Sequence, residues 1–436
     1  MLRIDEKFQK IQRPEKIIQF GEGGFLRGFV DWMLQKLNDS GAFCGSVVVV
    51  QPIAQGMCDR FMSQNCMYTH IIRGVEGVEN QVVDVISRCV KPYDDYESYL
   101  ALADDPGFRF IVSNTTEAGI AYRAEDGLND APPVSYPAKL TQLLYRRFRN
   151  GLPGFILLPC ELIDRNGDKL KEIVLRYAAQ WQLEPEFTAW IEQENHFCCT
   201  LVDRINTGYP KDNLPELGYE DAMINTSEYF HLWVIEGPQT LSEELPFHKV
   251  GLNVLWTDEL ERYRTRKVRI LNGAHTATVA YALLSGVETV GDAMADETMC
   301  AHLRQCVFEE IIPTLTLPRE ELLSYAEDVL QRFANPHIRH LWADISLNSV
   351  SKFKVRVLPS LLAYYEKFGK APQGLTRAFG CLIRFYKEGT PRDDEEIIAR
   401  MRTMSVREIL GCTEWWGTDC SFLTEEVEAY EAGSQR

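Results

Sequence analysis

The feature that most restricts this chain lies near its start: residues 16–20 (KIIQF), a short apolar run, end directly in Gly21-Glu22-Gly23-Gly24, and a helical pattern begins at once. Apolar residues at Phe25, Leu26, Phe29, Val30, Met33, Leu34 and Leu37 advance by three or four, which predicts one buried helical stripe that residues 38–41 bring to a stop. A strand that turns through glycines into a helix suits a pyrophosphate: the glycines let the backbone come close, and the helix start offers unpaired N–H groups. The competing reading of a G-x-G is a plain tight turn, and the strand–turn–helix context favours dinucleotide binding through Gly21, Gly23, Gly24, Phe25 and Leu26. The third glycine of the usual spacing is replaced, because Leu26 stands three places after Gly23 and the next glycine is Gly28.

The alternation continues. Residues 46–50 (SVVVV) read as a strand buried on both faces, as parallel sheets require. Residues 108–113 (FRFIVS) and 154–159 (GFILLP) read likewise, each followed by a polar cluster, Asn114-Thr115-Thr116-Glu117 and Cys160-Glu161. Open α/β sheets bind ligands at such carboxyl ends. Helices are expected over 138–148 and 168–181, and strand-like pieces at 231–236 and 252–256 are expected to extend the sheet. From about residue 261 the patterns turn long and helical, over 267–284, 297–315, 319–333, 338–365 and 375–386. The predicted class is α/β: a doubly wound dinucleotide-binding domain over residues 1–262 and a mainly α-helical domain over 263–436, with a frayed polar end at 424–436. The acid that ordinarily ends the second strand and holds the ribose of NAD is absent, since Gln51-Pro52 stand there and the nearest acid is Asp59, so NAD against NADP stays open.

The 436 residues leave room for two domains, and 45% hydrophobic with 25% charged residues describes an ordinary globular chain. With 63 acidic against 46 basic residues the net charge is −17, which disfavours non-specific attraction to nucleic acid or anionic lipid. An anionic substrate therefore needs a local cluster of cations. No apolar run approaches the ~18 residues of a membrane span and the start lacks a signal-peptide stretch, so a cytoplasmic protein without membrane partners is expected. The twelve cysteines contain no C-x-x-C pair and read as reduced, mostly buried thiols. Zinc spacings, H-E-x-x-H, Walker A and nucleophile-elbow patterns are missing, so no metal is expected.

A third constellation opens the helical part: Lys267, Asn272 and His275. At about 100° per residue, Asn272 lies about 140° from Lys267 and His275 about 80°, within one half of the helix surface. A lysine can exchange a proton with an alcohol or ketone oxygen, an amide can hydrogen-bond that oxygen, and a histidine can orient either. Arg264, Arg266 and Arg269 surround the lysine, and a solvated basic face is the alternative. Arg204, after Thr200-Leu201-Val202-Asp203, can be a pocket wall or half of an ion pair. Lys352 and Arg356, in Ser351-Lys352-Phe353-Lys354-Val355-Arg356, can meet a carboxylate or face water.

Taken together, Ile17-Ile18-Gln19-Phe20-Gly21-Glu22-Gly23-Gly24-Phe25-Leu26-Arg27, Thr200-Leu201-Val202-Asp203-Arg204-Ile205 and Lys267-x4-Asn272-Gly273-x-His275 resemble the mannitol dehydrogenase family of polyol dehydrogenases. Residues 113–120 (SNTTEAGI), 134–140 (VSYPAKL) and 159–164 (PCELID) are most similar to its tagaturonate-reducing branch. The resemblance implies a metal-independent, nicotinamide-dependent oxidoreductase with an N-terminal Rossmann-type domain and a helical C-terminal domain. It implies NAD as cofactor, with NADP not excluded, and a keto-uronate or aldonate as substrate; fructuronate, mannitol or arabinitol are the alternatives within the family, and a non-catalytic NAD-binding sensor the alternative outside it. Lys267 becomes the general acid and base, Asn272 a contact of the reacting oxygen, and His275 a support of the pocket. Asn114 and Thr115 face the nicotinamide ribose. Glu161, Arg204, Lys352 and Arg356 are substrate-side candidates, Lys352 first among the cations for the carboxylate. The family's second oxyanion-binding asparagine is missing, because Leu162 takes its place.

Overall fold

Strand β1 (Glu15–Phe20) ends at the glycine turn and is paired on both sides. In the computed structural model, which describes residues 1–211 and 214–432, it is a central member of a six-stranded parallel sheet. The order is β5 (Ile86–Val90), β2 (Ser46–Val50), β1, β6 (Phe110–Ser113), β7 (Ile156–Pro159) and β8 (His196–Phe197). Growth reverses direction between β1 and β6, so the carboxyl ends of these two strands form the switch point at which such sheets bind ligands. Phe20 stands opposite Val50 on one side and Ser113 on the other.

Both sheet faces are covered, which explains the unbroken apolar runs. Ile17, Val47, Val49, Val112 and Leu158 pack with the helix that follows β1, α1, which runs from Gly24–Leu26 through a π-turn at Arg27–Asp31 into Trp32–Asp39. Ile18, Phe20, Val48, Val50, Ile111 and Leu157 pack on the other face with α3 (Tyr136–Arg149) and α4 (Asn166–Gln180), while a short helix, α2 (Cys58–Met62), follows β2. Helix α1 buries more than the predicted stripe: every residue from Arg27 to Asp31 is buried. The cause is a second sheet on its far side, of order β10 (Asn206–Gly208), β11 (Asn225–Ser227), β3 (Tyr68–Gly74) and β4 (Gly77–Val83). A Cβ on Gly28 would lie 2.0 Å from Asn206 Nδ2, 2.7 Å from Asn225 Nδ2 and 2.9 Å from His70 Cε1, so the missing third glycine reappears two positions later as the point of closest approach.

The pieces expected to extend the parallel sheet do not. The chain leaves that sheet after the two residues of β8, and β9 (Cys199–Asp203) pairs antiparallel with β12 (Leu232–Glu236), whose other neighbour is β13 (Val254–Thr257). This separate three-stranded sheet places Val234 opposite Leu201.

The chain divides into two compact units, Met1–Leu260 and Glu261–Arg436. The second is helical. Helix α5 begins as Leu260–Lys267, passes through a π-turn at Val268–Asn272 and continues as Gly273–Leu284. Helix α6 (Glu297–Arg304) also runs into a π-turn, Gln305–Ile311, and α7 (Arg319–Phe333) follows. The single helix expected over 338–365 is three: Trp342–Ile345, α8 (Ser349–Arg356) and α9 (Leu358–Phe368). Asn348 in the left-handed region, at φ 54°, breaks the first join, and Pro359, which lacks an N–H, enforces the second. Then come α10 (Gln373–Glu388) and α11 (Thr424–Glu431). The expected fraying is corrected by α11, which buries Val427 and Tyr430 against Gly380 of α10, where an added Cβ would lie 2.7 Å from Tyr430 Cβ; residues 433–436 lie outside the described residues. All twelve cysteines are free thiols and eight are buried. Among the described residues no helix is long and apolar enough to cross a membrane.

Candidate functional site

The first unit contributes the glycine turn. Gly21 holds φ at 114°, a region L side chains avoid, and a Cβ there would lie 2.9 Å from Asn114 O. Its N–H donates to Val50 O at 3.1 Å, and Asn114 N–H donates to Phe20 O at 3.1 Å, so the turn is tied to strands on both sides. Gly23, the N-cap of α1, has nothing within 4 Å of an added Cβ: the backbone there is open on one side, with the unpaired N–H groups of the helix start beside it. Gly24 O accepts the side-chain amides of Asn206 and Asn225, each at 2.9 Å. Leu26 is buried beneath the turn and Phe25 is half-buried, stacked on Phe29. This cradle fits a diphosphate.

Glu161 is occupied in holding the next loop. Its Oε1 accepts from the N–H and the hydroxyl of Thr115, both at 2.9 Å, and its Oε2 from Ser113 Oγ at 3.0 Å. Burial pushes its proton affinity up, and the hydrogen bonds from Thr115 and Ser113 oppose that. Asn114 donates Nδ2–H to Cys160 O at 2.9 Å. At the switch point Glu161 therefore fixes Thr115, and the carbonyl of Cys160 fixes Asn114. Arg204, the other substrate-side candidate of this unit, is buried, donates to Gly28 O at 2.7 Å and twice to Glu228 O, and lies 4.0 Å over the Trp32 ring. Its guanidinium braces α1. Leu162 is 65% exposed, and the amide of that turn belongs to Asn166, whose Nδ2 is taken up by the carbonyls of Pro159, Glu161 and Thr200.

Beside the turn, after β2, Gln51 is buried and binds the backbone of Ile53, Ala54 and Cys58. Residues 51–57 carry no charged side chain, and Asp59 pairs with Lys91 at 2.9 Å. A cavity of about 270 Å³ opens next to this loop, lined by Pro52, Ile53, Thr115, Thr116, Arg123 and Tyr136 among others.

In the second unit the π-turn changes the relation between the predicted residues. Lys267 is the last residue before it and Asn272 the last within it. An i→i+5 turn closes on the fifth residue instead of the fourth, so residues five apart come to one side of the helix. Lys267 and Asn272 thus stand closer in direction than the about 140° of a regular α-helix. The solvated basic face does not form: Arg266 is buried, paired with Glu321 at 2.5 Å and 4.3 Å over the Tyr325 ring, and Arg269 reaches Ser360 Oγ at 3.3 Å.

His275, one turn on, is buried and stacks on Phe333 with ring centroids 4.1 Å apart; His340 meets it edge-on at 5.0 Å. Burial, and next to it the neighbouring His340, Arg332 and Arg356, hold its pKa well below 6.5, so the ring is neutral. Its Nε2 is buried without a hydrogen-bond partner among the described residues, a vacancy that ordinarily costs about 1–3 kcal/mol. Helix α8 crosses at Gly273, where an added Cβ would lie 3.1 Å from Arg356 O. Arg356 is half-buried, burial lowers its affinity for the proton, and no carboxylate among the described residues answers its charge. Lys352 is held differently, donating from Nζ to Ile345 O at 2.9 Å.

The mannitol dehydrogenase Rossmann-domain family model matches residues 15–249, and the mannitol dehydrogenase C-terminal-domain model matches residues 259–408. Altronate oxidoreductase of Klebsiella pneumoniae (strain 342) is 45% identical over 98% of this chain and 95% of its own, and that of Pectobacterium carotovorum subsp. carotovorum (strain PC1) is 50% identical over 86% and 80%. Among solved structures, D-sorbitol dehydrogenase in its substrate-free form superposes with a TM-score of 0.83 at 21% identity, covering 96% of this chain and 93% of that one. The ternary complex of Pseudomonas fluorescens mannitol 2-dehydrogenase with NAD and D-mannitol gives 0.69 at 22% identity, covering 97% and 91%.

Proposed function

The chain belongs to the mannitol dehydrogenase family, and from that premise we propose that it interconverts tagaturonate and altronate with NAD as cofactor. The observation that carries this reading is the 45 to 50% identity, over most of the chain, to proteins named altronate oxidoreductase. When bound, the nicotinamide ring supplies or accepts the hydride. The work of the first unit is to hold the diphosphate at Gly21, Gly23 and Gly24 and to present Asn114, held by Cys160 O, and Thr115, held by Glu161, toward the nicotinamide ribose.

The proton is the work of the second unit. Lys267, as an ammonium, donates from Nζ to the substrate carbonyl oxygen as negative charge develops there, and takes the proton back in the direction of oxidation. Asn272 donates Nδ2–H to the same oxygen, from the side of the helix to which the π-turn brings it. The neutral His275 offers its vacant Nε2 to a substrate hydroxyl. Arg356 pairs with the carboxylate of the uronate, in preference to Lys352, because its half-buried charge meets no carboxylate among the described residues while the lysine already has an acceptor. A polyol brings no anion, and an uncompensated cation disfavours it.

Loss of NADH absorbance with tagaturonate, fructuronate and fructose in parallel tests the reading. Tagaturonate is expected to turn over fastest, and Lys267→Ala to lower kcat by about 10²–10⁴. Turnover of fructose without either uronate would overturn it.

A further inference from the structure

Members of α/β dinucleotide-binding folds ordinarily hold the adenosine ribose with an acid at the end of the second strand. Here that loop, residues 51–57, is neutral. A carboxylate nevertheless reaches it from the neighbouring strand. Glu22, inside the glycine turn, is 7% exposed, and its Oε1 accepts from Met57 N–H at 3.1 Å. The loop is folded around it: a Cβ on Gly56 would lie 2.2 Å from Glu22 Oε1 and 2.5 Å from Gln51 Cδ, so a side chain there would push the carboxylate and the Gln51 amide aside. Its second oxygen, Oε2, takes no hydrogen bond among the described residues and is not among the side-chain atoms sealed from solvent. A ribose attached to a diphosphate over Gly23 has to pass between the end of β1 and the loop after β2, the place where Glu22 stands.

We propose that Glu22 accepts the hydrogen bonds of the adenosine ribose 2′,3′-diol and so makes the chain select NAD against NADP. The inference rests on the dinucleotide reading of the glycine turn and is independent of which sugar acid reacts. A 2′-phosphate would meet the carboxylate head-on, and residues 51–57 offer no cation to offset the repulsion. Lys91 is held between Asp59 at 2.9 Å and Asp94 at 2.5 Å. Arg123, at the rim of the adjoining cavity, stands 4.0 Å from Glu125 and from Asp126.

The test is equilibrium binding of NADH and NADPH without any sugar, followed by quenching of tryptophan fluorescence. The wild-type chain is expected to prefer NADH by about tenfold or more, the weight of one hydrogen bond to a charged acceptor. Glu22→Gln keeps an acceptor for Met57 N–H but lacks the charge, and is expected to reduce that preference by about tenfold. An unchanged preference in a folded Glu22→Gln chain overturns the proposal. So does equal wild-type affinity for the two nucleotides that Arg123→Ala then abolishes for NADPH. Should Glu22→Gln fail to fold, wild-type binding of ADP-ribose and its 2′-deoxy form decides: about tenfold weaker binding of the deoxy form is expected, and equal affinity refutes it. A wrong assignment of the sugar would change none of these readings.

Discussion

At the scale of single residues, the charge on Arg356 and the proton on Asp31 make opposite demands. Arg356 meets no carboxylate among the described residues, and the proposed substrate carboxylate is its partner. Arg356→Ala is expected to lower kcat/KM for tagaturonate by an amount equivalent to about 2–5 kcal/mol while leaving fructose no worse a substrate than before. Equal losses on both substrates, in steady-state kinetics, would remove Arg356 from carboxylate recognition. Asp31 is fully buried beneath the glycine turn, its Oδ2 accepting from Gln19 Nε2 at 3.2 Å and its Oδ1 unpartnered. Burial raises its pKa from 3.8 to about 7. A raised carboxyl pKa means that the folded chain holds a proton the unfolded chain has lost between those values, so stability falls as pH rises through about 7. Asp31→Asn, which cannot ionise, is expected to gain on the wild type between pH 4 and pH 8 by up to about 4 kcal/mol, read from urea melts. A difference that stays constant with pH would show Asp31 to be ionised throughout.

At the scale of elements, both motif helices are interrupted by π-turns, α1 just after its glycine turn and α5 at Asn272. Their apolar periodicity was legible, because burying a stripe needs only spacing. The π-turns were not: Arg27 to Asp31 and Val268 to Asn272 carry no residue that demands an extra backbone unit, and the side chains packed against the first, Asn206 and Asn225, lie far downstream on strands of another sheet. For the same reason Gly28 reads in sequence as a departure and in structure as a contact point. Strand β4 leaves no apolar alternation in the sequence, because Val83 is its one buried residue and Val78, Glu79 and Asn80 are exposed, and a carboxylate such as Glu161 that is buried to hold a loop carries the same sequence signal as one that meets a ligand. Gly28→Ala should gain slightly in helix propensity yet displace Asn206 and Asn225 from Gly24 O; the net loss expected is about 3 kcal/mol in urea denaturation. An unaltered midpoint would mean that α1 and the second sheet are not in contact in solution.

For the whole molecule, the histidines set the response to acid. Burial lowers the pKa of His231 and His302 to about 4, and of His70 and His275 well below 6.5. The unfolded chain takes up these protons near pH 6.5 and the folded chain does not, so each depressed histidine withdraws stability as pH falls from 6.5 toward its folded value, by up to about 3 kcal/mol for a shift to about 4. His196 and His340 are lowered by burial as well, so the four carboxyls that burial raises and that work the other way, Asp31, Glu161, Glu310 and Asp328, are fewer than the six histidines. The melting temperature is expected to fall steeply between pH 6.5 and 4.5, and a flat profile by calorimetry would contradict the burial of these rings. The strand order has a consequence in time. β1 leaves the ribosome well before its partner β6, which ends at Ser113, and the side chains that close over Gly28 come later still, from Asn206 and Asn225. At ordinary rates of synthesis β1 waits on the order of ten seconds for its second neighbour, and longer for the cover of its helix. The nascent first unit therefore has no stable stopping point, and a chain released early would present the apolar edge of β1 to chaperones and proteases instead of a smaller folded domain.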